Sequence, residues 1–452
     1  MVTFLAFVVT LGVLVIVHEY GHYRVALACG VKVERFSFGF GPVLWRHQRS
    51  AESTEFTLSA LPLGGYVRML GHGPDPVAPA DRHHAFNHKP LWQRTAIVAA
   101  GPAANLILAV ALYAGSNWLG VEEPPPVLGT PPAASLADVA GVRPGDRITA
   151  TSRDGSDWSD TRSMADLRWA ITQAVLDGDP LHVQVSPAGG RGERTVVLGI
   201  DTLGTREVDA GLMRRIGVSL SLGDPVLGEV RPGGAAREAG LQPGDRVLSV
   251  DGVPIADTNQ LLMLIRGNTT SVPADWRIER AGQAMVVTVR PGSVTDRDQR
   301  IGRIDALIGR MPETETVSYG FGEGLARAAR HTWEMSALTV KMIWRMVTLD
   351  ASWRNLSGPL TIADYAGQTA RLGLSYYLGF LAVVSVSLGV LNLLPLPMLD
   401  GGHLMYYLFE AVTGRPPSDL WLDRLTRGGL AIMIMMMSLA FYNDVARYLG
   451  LH

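Results

Sequence analysis

The stretch VLVIVHEYGHYRVA, residues 13–26, decides what the rest of the chain can be. Its first half is apolar, and His18, Glu19 and His22 follow directly. Ionisable groups in or beside a membrane span are costly unless they serve a function. The HExxH spacing on a helix places both imidazoles on one face, where they can share a metal ion, with Glu19 beside them to accept a proton from water. The stretch therefore predicts a metal site with a catalytic base.

Length and composition exclude several classes of protein. The chain has 452 residues, enough for several domains, and a formal net charge of −2 with no long basic run, so electrostatics gives no support for nucleic-acid binding. Cys29 is the single cysteine, so no disulfide can form within the chain. A mean hydropathy of +0.16 with 18% charged residues favours a chain that alternates between lipid and water.

Four apolar stretches predict four membrane spans, at residues 3–17, 95–119, 376–394 and 428–442. A span needs about 20 apolar residues, so the first suffices only if it extends through the HExxH motif to about residue 29. The fourth is short, but Trp421 and Tyr442 flank it, as is typical of a membrane interface. The first stretch is not expected to be a signal peptide, because residues 1–17 contain no Lys or Arg and no cleavage signature.

The short loops between the spans predict the orientation, because cytoplasmic loops carry an excess of Lys and Arg. The basic residues of these loops are Arg24, Lys32, Arg35, Arg46, Arg49, Arg68, Arg82 and Lys89 after the first span, and Arg415, Arg424 and Arg427 after the third. No basic residue precedes His18. We therefore expect both termini, and the long segment between spans two and three, to face outward.

The long outer segment contains an internal repeat. VLGTPPAASLADVAGVRPGDRITA begins at Val127, and VLGEVRPGGAAREAGLQPGDRVLSVDG begins at Val226. In each copy an Ala-rich helix ends at Gly, and Pro-Gly-Asp turns the chain into a strand. Each copy resembles the PDZ fold in its permuted, bacterial arrangement. In the second copy Ile216, Gly217 and Val218 resemble the loop that receives a peptide carboxylate, whereas two structural domains without a ligand are the alternative.

A catalytic zinc usually has three protein ligands and one open position, so a third ligand is needed. Val25 and Ala28 stand where soluble zincins carry further ligand motifs, and no nearby histidine completes the set. The histidines of the first cytoplasmic loop are expected to be surface residues rather than ligands: His72, His83, His84 and His88.

The better candidate for the third ligand is Asp400, in the segment NLLPLPMLDGGH at residues 392–403. Two prolines break the helix there, and irregular backbone at membrane depth is tolerated only where it lines protein or water. Spans one and three both end on the cytoplasmic side, which would allow Asp400 to meet His22. An ordinary turn leaving the bilayer is the alternative for this segment.

These motifs together resemble the site-2 protease family of intramembrane metalloproteases, and the resemblance covers nearly the whole chain. Further matching segments are VERFSFGFGP (33–42), LPLGGYV (61–67), DRHHAFN (81–87), AAGPAANLILA (99–109) and NLSGPLTIA (355–363). The resemblance implies a multi-pass α-helical membrane protein with four transmembrane helices, a membrane re-entrant β-hairpin and two tandem PDZ-like α+β domains.

The resemblance also implies roles for single residues. His18, His22 and Asp400 would bind Zn²⁺, and Glu19 would activate the water. Substrate would be held by Asn392, by the loop that Pro395 and Pro397 shape, and by the hairpin that contains Gly39, Gly41, Gly64 and Gly65. The hairpin's strand edge would capture an unwound substrate by main-chain bonds, whereas simple turn formation is the alternative for its glycines.

The expected division of the chain follows from these motifs. It comprises transmembrane helix 1 with HExxH (1–29), a cytoplasmic segment with the re-entrant hairpin (30–90), transmembrane helix 2 (91–119), the first PDZ-like domain (120–212), the second (213–312), an amphipathic helix and connector at the outer interface (313–372), transmembrane helix 3 with the LDGG loop (373–402), a cytoplasmic loop (403–427) and transmembrane helix 4 (428–452).

The function implied by the resemblance is regulated intramembrane proteolysis by a zinc endopeptidase of the bacterial inner membrane. Its substrates would be single-span membrane proteins, namely an anti-sigma factor of an envelope stress response, already trimmed by an upstream site-1 protease, and remnant signal peptides. The PDZ pair would lie in the periplasm and exclude substrates with bulky outer domains. A peptide-binding membrane scaffold and a metal transporter are the alternatives, but Glu19 argues against the first and the scarcity of polar residues in the spans against the second.

Overall fold

The two ends of the chain fold together, and the middle folds separately. One unit comprises Met1–Val121 with Ser318–His452, here named the membrane unit, and the other, here named the inserted unit, comprises Glu122–Val317. The computed structural model describes residues 1–50, 52–72, 77–188, 190, 192–206, 208–209, 211–296, 299–348 and 358–449.

The helices are α1 (Val2–Ala28), α2 (Leu91–Leu119), α3 (Leu136–Val139), α4 (Met164–Asp177), α5 (Leu212–Ile216), α6 (Ala235–Glu238), α7 (Thr258–Gly267), α8 (Phe321–Val347), α9 (Pro359–Leu372), α10 (Leu374–Asn392), α11 (Asp400–Thr413) and α12 (Asp419–Tyr448). The strands are β1 (Val33–His47), β2 (Glu55–Met69), β3 (Val121–Glu123), β4 (Arg147–Ser152), β5 (Ser159–Asp160), β6 (Leu181–Ser186), β7 (Arg194–Leu198), β8 (Leu227–Val230), β9 (Arg246–Val250), β10 (Val253–Pro254), β11 (Ala274–Arg280), β12 (Gln283–Val289), β13 (Gly292–Asp296), β14 (Gln299–Arg303), β15 (Ala306–Ile308) and β16 (Glu315–Val317).

Four helices of the membrane unit are long and apolar enough to cross a bilayer, judged by length and composition: Val2–Ala28, Leu91–Leu119, Leu374–Asn392 and Leu420–Arg447. The expected multi-pass fold with four spans agrees with this count. The segment expected as a cytoplasmic loop, residues 403–427, is instead largely helical. Leu404 and Tyr407 give α11 an apolar face that packs on a buried cluster, and α12 begins at Asp419, before the expected start.

Small residues allow the membrane helices to approach closely, as is common where helices pack in lipid. A Cβ atom on Gly21 of α1 would lie 2.3 Å from the carbonyl oxygen of Ala100 on α2, so only glycine fits. On the other side of α2, the Ser385 hydroxyl of α10 donates to the carbonyl oxygen of Asn105 at 2.7 Å. Helix α2 therefore lies between α1 and α10 and contacts both.

Strands β1 and β2 form a long, irregular antiparallel hairpin that packs against α1. Gly39 and Gly64 adopt positive φ angles of 86° and 124°, which side chains rarely tolerate. The hairpin bends back on itself, because residues 35–38 of β1 pair both with residues 65–68 and with residues 55–58 of β2. Several of its large apolar side chains are exposed: Phe40, Val43, Leu44, Trp45, Leu58 and Leu61.

The amphipathic helix expected within residues 313–372 corresponds to α8, Phe321–Val347. Residues 355–357 of the NLSGPLTIA segment lie outside the described part of the chain. The following helix, α9, has no N-cap side chain of its own. Asp444 of α12 supplies one, because its carboxylate accepts from the backbone N–H groups of Gly358, Leu360 and Thr361 at 2.9, 2.9 and 3.1 Å. Helix α12 is thereby bonded to the start of α9.

The inserted unit contains two similar cores that correspond to the two sequence copies. Their four-stranded sheets have the orders β5-β4-β6-β7 and β10-β9-β11-β12, with α4 and α7 packed on them. The aspartate of each Pro-Gly-Asp turn is buried and pairs with an arginine from a later strand, Asp146 with Arg194 and Asp245 with Arg280. The repeated motif thus has the same structural use in both copies.

The boundary between the copies differs from the expected one at residues 212/213. Ile216 and Val218, 0% and 3% exposed, belong to the core of the first copy rather than the second. The segment after them pairs with the first copy's opening strand, because Gly129 N–H donates to Ser219 O at 3.0 Å. Strand β15 closes the second copy on β8 in the same way. Residues 213–221 therefore complete the first copy, a non-local pairing that the repeat alone does not reveal.

Candidate metal centre

Three ligand atoms converge where α1 meets the start of α11. His18 Nε2 lies 3.2 Å from Asp400 Oδ2, and His22 Nε2 lies 3.5 Å from the same oxygen. The two Nε2 atoms are 3.2 Å apart, since the histidines are one helical turn apart on the same face of α1. Among the residues that the structure describes, this is the one group of three or more such side chains close enough to share an ion.

The backbone around Asp400 explains the glycines that follow it. After α10 ends at Asn392, the chain turns through two prolines and reaches Met398, whose φ of 84° is unusual for a residue with a side chain. It then folds back over the first turn of α11. A Cβ on Gly401 would lie 2.1 Å from Leu394 O, and one on Gly402 would lie 2.5 Å from Leu396 O. The tight turn thus sets Asp400 at the helix start.

Helix α2 forms the wall behind both histidines. His22 Nδ1 contacts the carbonyl oxygen of Ile97 at 2.8 Å, and since a carbonyl only accepts, Nδ1 carries a proton, which leaves Nε2 of the neutral ring free to bind a metal. Gly101 leaves space for the rings, because a Cβ there would lie 2.3 Å from His22 Nε2 and 2.9 Å from His18 Cε1. Asn105 places its side-chain nitrogen 3.2 Å from His18 Nδ1.

The electrostatics of the cluster favour a cation. Asp400 Oδ2 is buried and has no hydrogen-bond partner of good geometry, although His18 Nε2 and His22 Nε2 lie 3.2 and 3.5 Å from it, so the group is placed to accept a cation.

The donor set fits zinc. Two imidazole nitrogens and one carboxylate oxygen are a usual set for a catalytic Zn²⁺ with one position left for water. Tetrahedral zinc with bonds of about 2.0–2.2 Å separates its ligand atoms by roughly 3.3–3.6 Å. The separations of 3.2, 3.2 and 3.5 Å among His18, His22 and Asp400 are close to this spacing.

The comparison with known families agrees with this centre. The model described as "Peptidase family M50" matches residues 6–436. The chain belongs to peptidase family M50. It is 40% identical over 448 residues to the regulator of sigma-E protease RseP of Escherichia coli, covering 98% of each chain. It is also 38% identical over 449 residues to protease RseP of Yersinia pestis, again covering 98% of each.

A third relative is a Ralstonia nicotianae protein whose name assigns it provisionally to the zinc metalloproteases. The identity is 42% over 463 residues, covering 100% of each chain. The prediction of a metalloprotease related to these proteins is confirmed by the family and by the extent of the alignments.

Other expected site residues of this M50 peptidase lie on α1, on the hairpin and in the segment that leads from α10 to Asp400. Glu19 is next to His18 on α1, and Gly65 of β2 packs beside it, since a Cβ on Gly65 would lie 3.1 Å from Glu19 Cγ. Asn392 is the last residue of α10 and is half-buried. Pro397 packs against α12, where a Cβ on Gly429 would lie 2.6 Å from Pro397 Cβ. These positions leave the individual roles as predictions.

The remaining expected residues are not members of the three-residue cluster. His72 packs on the ring of Phe86 and also lies 6.1 Å from the ring of His403, three residues after Asp400. His83 packs on His84, and His88 Nδ1 contacts Asn87 Oδ1 at 2.7 Å. In the inserted unit, Ile216 and Val218 are buried in the first core, and Gly217 has a φ of 88°. Two of the three residues expected to bind a peptide therefore pack in the first core.

Sequence reasoning did not assign roles to Ile97, Gly101 and Asn105. Only Asn105 carries a signal that could have pointed to the site. A buried amide in an apolar span is costly without a partner, and it stands four residues after Gly101, on the same face of α2. The carbonyl of Ile97 has no signature, because every residue carries one.

Proposed function

We propose that this protein is an intramembrane zinc endopeptidase of the site-2 protease type, which cleaves single-span membrane proteins. The convergence of His18, His22 and Asp400 carries the proposal. His18 and His22 lie on α1, which is apolar enough to cross the bilayer. Asp400 begins α11, which follows the candidate span α10 after a short connection. A site for hydrolysis at membrane depth is the function that this combination supports best.

In this proposal each residue has a separate task. His18, His22 and Asp400 hold Zn²⁺, which supplies Lewis-acid activation of water and of the scissile carbonyl. Glu19 accepts the proton of the attacking water and later donates it to the leaving amine. Asp400 balances part of the metal's charge, and the carbonyl of Ile97 holds His22 in the tautomer that binds through Nε2.

We propose that the β1–β2 hairpin is re-entrant and presents the substrate to the site. Its exposed apolar side chains, Phe40 and Trp45 among them, suit insertion into lipid, and the packing of Gly65 beside Glu19 puts one strand next to the catalytic base. A helical substrate hides its peptide bonds, so an unwound segment must be held by main-chain bonds before hydrolysis. Asn392 and the loop with Pro395 and Pro397 would bind the same unwound segment of the substrate.

We propose that the protein lies in the bacterial inner membrane with its termini and the inserted unit in the periplasm. The metal centre would then be near the cytoplasmic side. In a variant without Cys29, a new cysteine at Ser293 should react with a membrane-impermeant reagent in intact cells. One at Ser50 should react only after the inner membrane is opened, and the opposite labelling pattern would reverse the orientation.

The substrate class follows from the relatives as a proposal. Two of them are named for sigma-E regulation or share the name RseP. We therefore propose a trimmed, membrane-bound anti-sigma factor as the substrate, with an upstream site-1 protease making the first cut, and remnant signal peptides as further substrates.

We propose that the two cores of the inserted unit are PDZ-like and limit substrate size rather than bind a peptide through Ile216 and Val218. The burial of both side chains supports this preference. Deleting residues 127–310 should then allow cleavage of a full-length substrate without prior trimming. A zinc-loaded deletion variant that cuts trimmed substrate yet refuses full-length substrate would contradict the steric gate.

The activity can be tested on the protein purified in detergent. About one Zn²⁺ per chain should be present, and a model single-span substrate should be cut in its membrane segment. A chelator should abolish cleavage, and added zinc should restore it. Zinc binding without cleavage would favour a scaffold, and zinc transport into vesicles without cleavage would favour a transporter.

A further inference from the structure

The two histidines of the metal centre differ in how their second ring nitrogen is held. His22 Nδ1 bonds to a backbone carbonyl, which fixes both the tautomer and the ring orientation. A metal-binding imidazole almost always donates its other N–H to an acceptor of this kind. For His18 the group in that place is the side-chain amide of Asn105, whose Nδ2 lies 3.2 Å from His18 Nδ1.

Packing alone does not account for Asn105. Its side chain is fully buried within an apolar helix, and its Oδ1 atom has no hydrogen-bond partner. A buried amide oxygen without a partner costs about 1–3 kcal/mol. The absence of a side chain at Gly101 lets this part of α2 lie close to the imidazoles.

We propose that Asn105 is the positioning residue for His18. With the amide turned by 180°, which exchanges two atoms of similar size, Oδ1 accepts the Nδ1 proton of His18. This hydrogen bond fixes the tautomer in which Nε2 carries no proton, so that Nε2 can bind the metal. With Nδ2 toward the ring, the proton lies instead on Nε2, 3.2 Å from Asp400 Oδ2, an arrangement that suits the metal-free site.

The inference rests on the proposed function in one respect, that the centre binds zinc. Its test therefore measures metal affinity and not proteolysis. We would determine the Zn²⁺ dissociation constant of the full-length protein by competition with a chromophoric chelator. The Co²⁺-loaded protein would be compared by visible absorption, and metal-free thermal unfolding would report on folding.

Asn105→Leu keeps a similar volume but removes the acceptor, and it should weaken zinc binding by about 10- to 100-fold. Asn105→Asp keeps an acceptor and should bind zinc at least as tightly as the wild type, with a Co²⁺ spectrum like that of the wild type. Ser385→Ala is the matched control, because it removes a bond to Asn105 that does not involve the imidazole. It should change zinc affinity by less than about threefold.

A folded Asn105→Leu protein with wild-type zinc affinity would overturn the inference. If Asn105→Leu fails to fold, Asn105→Asp provides the test. A tenfold loss of zinc affinity in Asn105→Asp would overturn the inference, because this variant keeps a hydrogen-bond acceptor for His18 Nδ1. A wild-type protein that binds no zinc would overturn the proposed function, and the inference with it, whereas loss of binding in Asn105→Leu alone supports both.

Discussion

Arg94 and Glu410 form a two-point ion pair between the start of α2 and the end of α11. The Nη2–Oε1 and Nη1–Oε2 distances are 2.6 and 3.1 Å, and the side chains are only 17% and 21% exposed. The guanidinium also lies 5.1 Å from the ring centre of Tyr407. Because α11 begins with Asp400, the pair fixes the helix that carries the proposed third metal ligand relative to the helix behind the histidines.

Breaking this pair should loosen the metal centre. Glu410→Gln leaves the Arg94 charge partly buried, and we expect a loss of about 1–3 kcal/mol in unfolding free energy, between the values for surface and buried pairs. Zinc should also dissociate faster. Asp423→Asn is the matched control, since its pair with Arg427 is 55% and 79% exposed and should contribute little. Equal zinc off-rates in the two variants would disprove the bracing role.

Substitutions should distinguish the residues that hold zinc from the residue that acts as the base. Asp400→Ala leaves two imidazoles, so zinc content and cleavage should both be lost. Glu19→Gln preserves size but cannot accept a proton, so zinc content should stay near wild type while turnover falls by about 10²- to 10⁴-fold. Metal analysis and single-turnover cleavage of the same preparations measure both effects. Near-normal turnover in Glu19→Gln would identify another group as the base.

Gly101 should tolerate no side chain at all. The Cβ of Gly101→Ala would lie 2.3 Å from His22 Nε2, so the rings must move out of the ligand geometry, and we expect at least a tenfold loss in zinc affinity. Gly428→Ala on α12 is the matched control, because a Cβ there meets nothing within 4 Å. It should leave zinc affinity unchanged and stabilise the helix by up to about 1 kcal/mol. Wild-type affinity in Gly101→Ala would show that the ring positions are not constrained there.

Acid should destabilise the inserted unit through Asp245. Burial opposes ionisation of this residue, but the Arg280 guanidinium and a backbone N–H outweigh it and lower the pKa from its ordinary value of 3.8. A lowered folded-state pKa gives stability that is present above the unfolded-state pKa and is lost as the pH falls through the folded-state pKa. The stability of the inserted unit should therefore decrease below about pH 4.

Pulse proteolysis with pepsin between about pH 2 and 5, followed by mass spectrometry of fragments from the inserted unit, measures this dependence on the full-length protein. Asp245→Asn should be less stable at the upper end of that range and should flatten the profile. Asp224→Asn, in an exposed pair with Arg246, should retain the wild-type slope. A wild-type slope in Asp245→Asn would remove this group as the cause.

The parts of the site that are local in sequence could be predicted, and the parts that depend on helix packing could not. The spacing of His18 and His22 implies a shared face of a helix, and the irregular segment before Asp400 marks it as a candidate ligand. The contacts of the histidines with Ile97 and Asn105 depend on how α2 is positioned along α1. The spacing of residues in the sequence does not reveal that position. The boundary near residue 216 was misplaced for a related reason. The segment at residues 213–221 could belong to either core of the inserted unit until the strand with which it pairs is known.

The order of the ligands along the chain has a consequence for biosynthesis. His18 and His22 stand near the start, whereas Asp400 follows the whole inserted unit and three of the four spans. A nascent chain therefore carries an incomplete ligand set until nearly all of the polypeptide has been made, and a product truncated before residue 400 keeps the histidine pair without its carboxylate. Under the proposed function, proteolytic competence would arise late in translation, so the growing chain could not attack membrane proteins that are being inserted beside it.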